Sequence, residues 1–329
     1  MKILLIYRNK KMGFSIGKVF KPIEQELRKF CDVDSIELPC ANYSIRSLIM
    51  NIKFARESIR KEQYDLIHIT GAEYYLIPFL KGCKTVVTVH DLGFYANNKK
   101  SFKQIFKYLL WIRTLPLASF TTFISNKSKK EAENYVRFKK SRVAVVYDPI
   151  GDDYIYHPKN IDVSYPRILH IGTNPHKNLA RSLEALKNIR CKLVIVGKLN
   201  ETYRDLLIKN HIQYENKCNL TDEEILNEYI ECDIVNFPSL HEGFGMPIIE
   251  GQSVGRPVLT SDVSPMREIA GEGAILVNPE SVEDIRQGYK KIFQHSEVLV
   301  DKGLDNVKRF RLNIIVQQYL DIYKKIITR

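Results

Sequence analysis

The run Ile234-Val235-Asn236-Phe237 leads into Pro238-Ser239-Leu240-His241-Glu242-Gly243-Phe244-Gly245-Met246-Pro247-Ile248-Ile249-Glu250. A short apolar strand, a loop with two glycines and a helix start follow one another here. Gly243 and Gly245 let the backbone approach a ligand closely or take positive φ. Pro247 suits a first helical turn, where its missing N–H costs nothing. The same order recurs at Leu169-His170-Ile171-Gly172-Thr173-Asn174-Pro175-His176-Lys177-Asn178-Leu179. Working outward, short β-branched runs alternate with longer amphipathic segments. Strands are expected at 2–7, 35–38, 65–70, 85–90, 121–125 and 142–147, then at 167–172, 192–197, 233–238, 257–261 and 274–277. Such alternation is the βαβ signature of parallel sheets with helices on both faces, so the class is α/β.

The chain has 329 residues, and at roughly 100–200 residues per domain this suggests two domains. Asp148-Pro149-Ile150-Gly151-Asp152-Asp153, continuing to Pro158 and Pro166, is rich in turn formers and has little periodicity. The expected organisation is a Rossmann-like domain over 1–150, a linker over 151–165 and a second doubly wound domain over 166–310. Ile314, Ile315, Gln318, Tyr319, Ile322 and Ile326 stand at helical spacing, which marks 311–329 as one long C-terminal amphipathic helix.

Composition excludes several classes. The 44% hydrophobic and 27% charged content is that of an ordinary globular protein. No apolar run approaches the roughly 18–20 residues of a spanning helix, and Ile3-Leu4-Leu5-Ile6-Tyr7 is too short for a signal-peptide core. A cytoplasmic location is expected. Cys31, Cys40, Cys83, Cys191, Cys218 and Cys232 are scattered with no CxxC pair, so neither a zinc site nor a redox motif is indicated. Residues 1–150 carry 27 Lys and Arg against 13 Asp and Glu, and residues 151–329 carry 23 against 25, so the net charge of +12 lies wholly in the N-terminal half. Either that half faces an anionic partner, a lipid surface, a phosphorylated acceptor or nucleic acid, or its lysines simply serve solubility.

A helix N-terminus presents backbone N–H groups and the positive end of the helix dipole, so the loop before Met246 is a candidate anion site. Glu242 precedes that loop and Glu250 lies one turn into the helix, within reach of hydroxyls around a bound diphosphate. The plainer reading leaves Glu250 as a dipole partner and Glu242 as a surface residue. Lys177, at the other strand-turn-helix junction, offers a point charge for phosphate. His90 stands at the end of the strand Thr88-Val89-His90, where open α/β sheets bind ligands.

Glu242 and Glu250 with Gly-Phe-Gly-Met-Pro between them, followed by Gly255-Arg256-Pro257-Val258, resemble the signature of glycosyltransferase family 4. The resemblance implies a GT-B architecture, two Rossmann-like doubly wound domains facing a central cleft, with the C-terminal helix crossing back to the first. It also implies retaining transfer from a nucleotide sugar. Carried over to this sequence, Glu242 and His90 contact the donor sugar as catalytic residues, and Glu250 contacts the ribose. Lys177 binds the diphosphate, together with the loop Gly243, Phe244, Gly245, Met246 and Pro247. Gly172, Thr173 and Asn174 form the turn beside it, with Thr173 where many members carry arginine. Gly13, in the loop after strand one, matches a family glycine near the donor phosphate. No DxD-type acidic pair stands on a suitable loop, which agrees with a metal-independent reaction and no cofactor.

The partners implied are a nucleotide-sugar donor and a glycan or lipid-linked acceptor, in cell-surface polysaccharide or lipopolysaccharide assembly. Residues 97–117 interleave Lys99, Lys100, Lys103 and Lys107 with Phe102, Ile105, Phe106, Leu109, Leu110, Trp111 and Ile112. They read as an interfacial helix on an anionic membrane, which would make the enzyme peripheral at its inner face, or as a helix covering the sheet. A GT-B-like epimerase or phosphorylase is the rival enzyme class. A non-enzymatic binder of anionic partners is the rival outside enzymes, but no nucleic-acid motif is present.

Overall fold

The computed structural model describes residues 1–13, 15–61, 63–80, 82–96 and 102–328. The chain forms two compact units, Met1–Pro149 with Leu312–Arg329, and Ile150–Arg311. The first is built on β1 (Lys2–Tyr7), β2 (Asp32–Glu37), β3 (Leu66–Ile69), β4 (Thr85–Val89), β5 (Phe120–Phe123) and β6 (Val143–Val145). These pair in parallel in the order β2-β1-β3-β4-β5-β6. Successive strand residues point to opposite faces, so β1 feeds two cores. Ile3 and Leu5 pack with Phe20 and Ile23 of the helix Ser15–Leu27 and with the C-terminal helix, while Leu4 and Ile6 join Tyr75 and Trp111 on the other face.

The C-terminal helix, Leu312–Ile327, buries Ile315, Val316, Tyr319, Tyr323 and Ile326 in the first unit. Its tyrosines also carry polar groups into that core. His68 bonds the Tyr323 hydroxyl through Nδ1 at 2.6 Å and Thr88 Oγ1 through Nε2 at 2.8 Å. Thr88 continues to Thr122 at 2.7 Å and Tyr319 at 3.3 Å. Burial pushes the His68 imidazole down to about 3, so it is neutral.

The expected helix at 97–117 is divided. Residues 97–101, with Lys99 and Lys100, lie outside the described residues. An α-helix then spans Phe102–Lys107, a π-helical turn Tyr108–Ile112 and a 3₁₀ turn Leu115–Leu117. Pro116 disfavours α geometry at the residue before it, and Trp111 and Ile112 anchor the segment in the core.

The second unit is built on β7 (Arg167–Ile171), β8 (Lys192–Val196), β9 (Gln213–Lys217), β10 (Ile234–Phe237), β11 (Val258–Ser261) and β12 (Ala274–Val277), all parallel in the order β12-β11-β10-β7-β8-β9. Strand β9 was not expected: Gln213-Tyr214-Glu215-Asn216-Lys217 is polar because it pairs on one side only, with β8. Residues 151–165, expected as a linker, pack on this unit instead. The buried Arg256 guanidinium donates to the carbonyl of His157, Lys159 pairs with Asp233 at 3.0 Å, and Tyr156 lies over Gly255.

Strand order locates the places where a ligand can enter. In the second sheet the chain runs outward from β7 through β8 to β9, then returns to the other side of β7 as β10. In the first, β2 and β3 flank β1 in the same manner. Loops leave such reversal points in opposite directions and open a crevice at the carboxyl ends of the strands.

Candidate functional site

At the β7/β10 reversal the two stretches quoted from the sequence meet. Gly172 ends β7 at φ +94°, and a side chain there would sit 2.9 Å from the aliphatic part of Lys177. Glycine therefore serves both the turn and the passage of the lysine across it. A 3₁₀ turn, Pro175–Lys177, follows, with Asn174 before it. Asn178, left-handed at φ +63°, donates through Nδ2 to the carbonyls of Pro238 at 2.9 Å and Pro279 at 2.7 Å. Leu240 N–H donates to the His176 carbonyl at 2.8 Å, which fastens the β10 loop to this turn.

The result is a partly buried ion pair. Lys177 Nζ lies 2.8 Å from Glu242 Oε1, with the side chains 19% and 14% exposed, and 4.8 Å over the Phe237 ring. His176 Nε2 is 4.0 Å from the same Glu242 oxygen, and the His176 and His241 rings lie 5.0 Å apart. Gly245, at φ +118°, begins the helix Met246–Ser253, which has no side-chain cap and has Pro247 in its first turn. Phe244 is buried and meets Phe310 edge to face. Glu250 accepts a 2.6 Å hydrogen bond from the hydroxyl of the fully buried Tyr229. Thr173 is turned away, its Oγ1 donating to the Lys198 carbonyl at 2.9 Å.

Gly13 and His90 belong to the first unit, at the carboxyl ends of β1 and β4. Gly13 has φ +124°, and a Cβ there would come 2.8 Å from an Arg8 nitrogen. His90 contacts the Thr70 carbonyl at 2.9 Å through Nε2. A carbonyl only accepts, so Nε2 carries the proton; with burial pushing the ring down to about 4, Nδ1 is an acceptor at neutral pH. Beside His90 opens a cavity of about 1060 Å³, walled by Tyr43, Tyr74, Ile105, Phe106 and Trp111, with Arg8, Lys107 and Asp91 among its polar groups.

The family models for group 1 glycosyl transferases and for glycosyltransferase family 4 match residues 156–302 and 21–154. The chain belongs to the family 4, group 1 glycosyltransferases. It is 25% identical over 232 residues to the O-antigen chain mannosyltransferase RfbU of Salmonella typhimurium, a match covering 67% of this chain and 64% of that relative. A glycosyltransferase from Rickettsia africae superposes with TM-score 0.79 at 18% identity, covering 99% of this chain and 98% of that one. HepE of Anabaena, solved with UDP and glucose, gives 0.72 at 16%, covering 99% and 100%. The two Rossmann-like units are those of the GT-B fold, and the protein is an enzyme of glycosyl transfer.

In this glycosyltransferase the turn at Gly172–Lys177 and the loop at Glu242–Pro247 meet at the β7/β10 reversal, whereas Gly13 and His90 lie in the first unit. Several participants had no sequence signal of their own. Tyr229 sits in the last turn of the helix Asp222–Glu231, and nothing nearby in sequence ties it to Glu250. Glu73 is 1% exposed and accepts from the Tyr43 hydroxyl at 3.2 Å; burial raises its carboxyl to about 7. Its place just after β3 was the available clue. Arg8 was read only as part of a loop, although Gly13 makes room for its guanidinium. Among the described residues no group of three or more His, Cys, Asp or Glu is arranged to hold a metal ion. No helix among them is long and apolar enough to cross a membrane.

Proposed function

We propose that this enzyme is a retaining transferase that takes a sugar from a nucleoside diphosphate sugar, without a divalent metal, and places it on a glycan or lipid-linked acceptor in cell-surface polysaccharide assembly. The observation that carries this reading is the Lys177–Glu242 pair, at 2.8 Å, set beside the uncapped start of the helix Met246–Ser253. A diphosphate entering that crevice takes over Lys177 and lies at the positive end of the helix dipole. Glu242, released from the lysine, turns to hydroxyls of the donor sugar, while Glu250, oriented by Tyr229, meets the ribose.

In the transfer the bond from the anomeric carbon to the diphosphate oxygen breaks, and a bond to the acceptor oxygen forms on the same face. The acceptor proton passes to the departing diphosphate, so no side-chain nucleophile is required. Lys177 and the dipole stabilise the charge that develops on the leaving group, and the site's rigidity supplies orientation. His90, neutral with Nδ1 as acceptor, is suited to a sugar hydroxyl. The apolar cavity beside it, with Arg8 and Lys107 among its walls, suits an acceptor that joins an apolar part to an anionic one. The structural likeness to HepE, which binds UDP, and the sequence likeness to an O-antigen mannosyltransferase support this reading.

Thermal unfolding with UDP, GDP, ADP, dTDP and CMP, on wild type and Lys177→Ala, tests it. A ligand at 100 times its Kd stabilises by about 2.7 kcal/mol, enough for a shift of several degrees. A selective shift that disappears in Lys177→Ala is expected; no shift with any nucleotide refutes the donor site.

A further inference from the structure

We infer that the imidazoles of His176 and His241 together take up about one proton when a nucleotide sugar binds, and so supply the second positive charge that its diphosphate needs. The inference rests on the donor site described above and deepens it.

The diphosphate of a nucleotide sugar is esterified at both ends and keeps two negative charges from pH 5 to 9. In the crevice without ligand the positive charge of Lys177 is matched by Glu242 at 2.8 Å. Once the diphosphate takes Lys177, one cation faces two phosphate charges and the displaced Glu242 carboxylate. Lys177 is the only permanently charged residue of the turn Gly172–Lys177, because Thr173 is neutral and committed to the Lys198 carbonyl. Charges in a partly buried site interact several times more strongly than in water. The titratable groups nearest the imbalance are the two histidines. His176 Nε2 is 4.0 Å from Glu242 Oε1, and the His241 ring is 5.0 Å from the His176 ring with 35° between their planes. The Leu240 N–H bond to the His176 carbonyl holds their loops together.

The groups that face His176 are Glu242, which favours its protonation, and Lys177 and His241, which oppose it. Burial also disfavours the charged ring, so in the absence of ligand its pKa is below that of an ordinary histidine. An arriving diphosphate cancels the effect of Lys177 and adds negative charge, and both changes raise the affinity of the pair for a proton. Two adjacent imidazolium rings repel each other, which limits the uptake to about one.

Calorimetric titration of the whole enzyme with UDP-glucose and with GDP-mannose, at pH 7 in two buffers of different ionisation enthalpy, measures the protons taken up. The expected uptake is between one half and one per ligand, with affinity rising about three- to tenfold per unit as the pH is lowered from 8 to 6.5. His176→Gln and His241→Gln are each expected to reduce the uptake, and the double variant to abolish it while still binding at pH 8. Both rings are at least partly exposed, so the variants should retain the wild-type fold, which melting curves verify. Binding without proton uptake overturns the inference and leaves the donor site intact. Uptake that persists in the double variant but vanishes in Glu242→Gln places the proton on Glu242 and overturns it as well. Failure of wild type to bind either sugar nucleotide at any pH overturns the donor site itself.

Discussion

Replacing Glu242 by Gln should move binding and turnover in opposite directions. In the free enzyme Glu242 holds Lys177 at 2.8 Å, with both side chains more than four-fifths buried. In the proposed donor site a nucleoside diphosphate displaces that carboxylate before it uses the lysine. A hydrogen bond to a charged group contributes about 1.5–3 kcal/mol. The residual exposure of the pair and the retained amide oxygen of Gln reduce the difference to roughly 1–2 kcal/mol. At about 1.4 kcal/mol per factor of ten, the variant should bind the nucleoside diphosphate about 5- to 30-fold more tightly than wild type. Turnover with the full nucleotide sugar should nevertheless fall by about 100-fold or more, because the carboxylate no longer meets the sugar in the transition state. Calorimetry with whichever diphosphate shifts the melting temperature reads the first effect, and initial rates with the matching sugar nucleotide read the second. Equal or weaker diphosphate binding in a folded Glu242→Gln variant would refute the competition between carboxylate and phosphate for Lys177.

Three further outcomes are expected. Gly172→Ala strains a backbone at φ +94° and places a methyl group 2.9 Å from Lys177 Cγ; it should destabilise the protein by about 1–3 kcal/mol and raise the donor KM, measured by melting and steady-state kinetics. Glu250→Ala should weaken nucleoside diphosphate binding about tenfold, and Tyr229→Phe, which removes the 2.6 Å bond that orients Glu250, by a smaller factor in the same calorimetric assay. Burial raises the Asp148 carboxyl to about 7, so it folds protonated at low pH and must ionise while buried as the pH rises through 7, whereas the unfolded chain has already lost that proton near pH 4. Stability from this group is therefore lost between about pH 4 and 7, and Asp148→Asn should be more stable than wild type by ~2–4 kcal/mol at pH 8 but not at pH 4, as followed by denaturant unfolding.

Much of the architecture was legible because its signals are local. Strand β1 and strand β12 run over Lys2–Tyr7 and Ala274–Val277, where the sequence placed them, since continuous apolar runs bounded by turn formers have few other uses in a parallel sheet. The C-terminal helix was legible from its spacing and is Leu312–Ile327. Strand β9 was not: an edge strand needs no apolar run, and its polar residues resemble a loop. The segment before Leu117 misled for a related reason, because its apolar residues follow helical spacing while Trp111 and Ile112 anchor a π-helical turn in the core. Residues 151–165 look like a linker in composition, yet Arg256 and Asp233 hold them on the second unit from 99 and 74 positions along the chain respectively.

The sequence by itself determined the α/β class, the two-unit organisation and the residue types at the β7/β10 crevice, since glycine, proline and periodicity act through the backbone within a few positions. Only the tertiary structure decided which of those residues meet. Lys177 and Glu242 are 65 positions apart and become partners because β10 returns to the side of β7 opposite β8. Tyr323 reaches His68 across 255 positions because the last helix covers the first sheet. Strand order and helix docking depend on burying all the apolar faces of the chain together, and that requirement is not written in any one stretch of it.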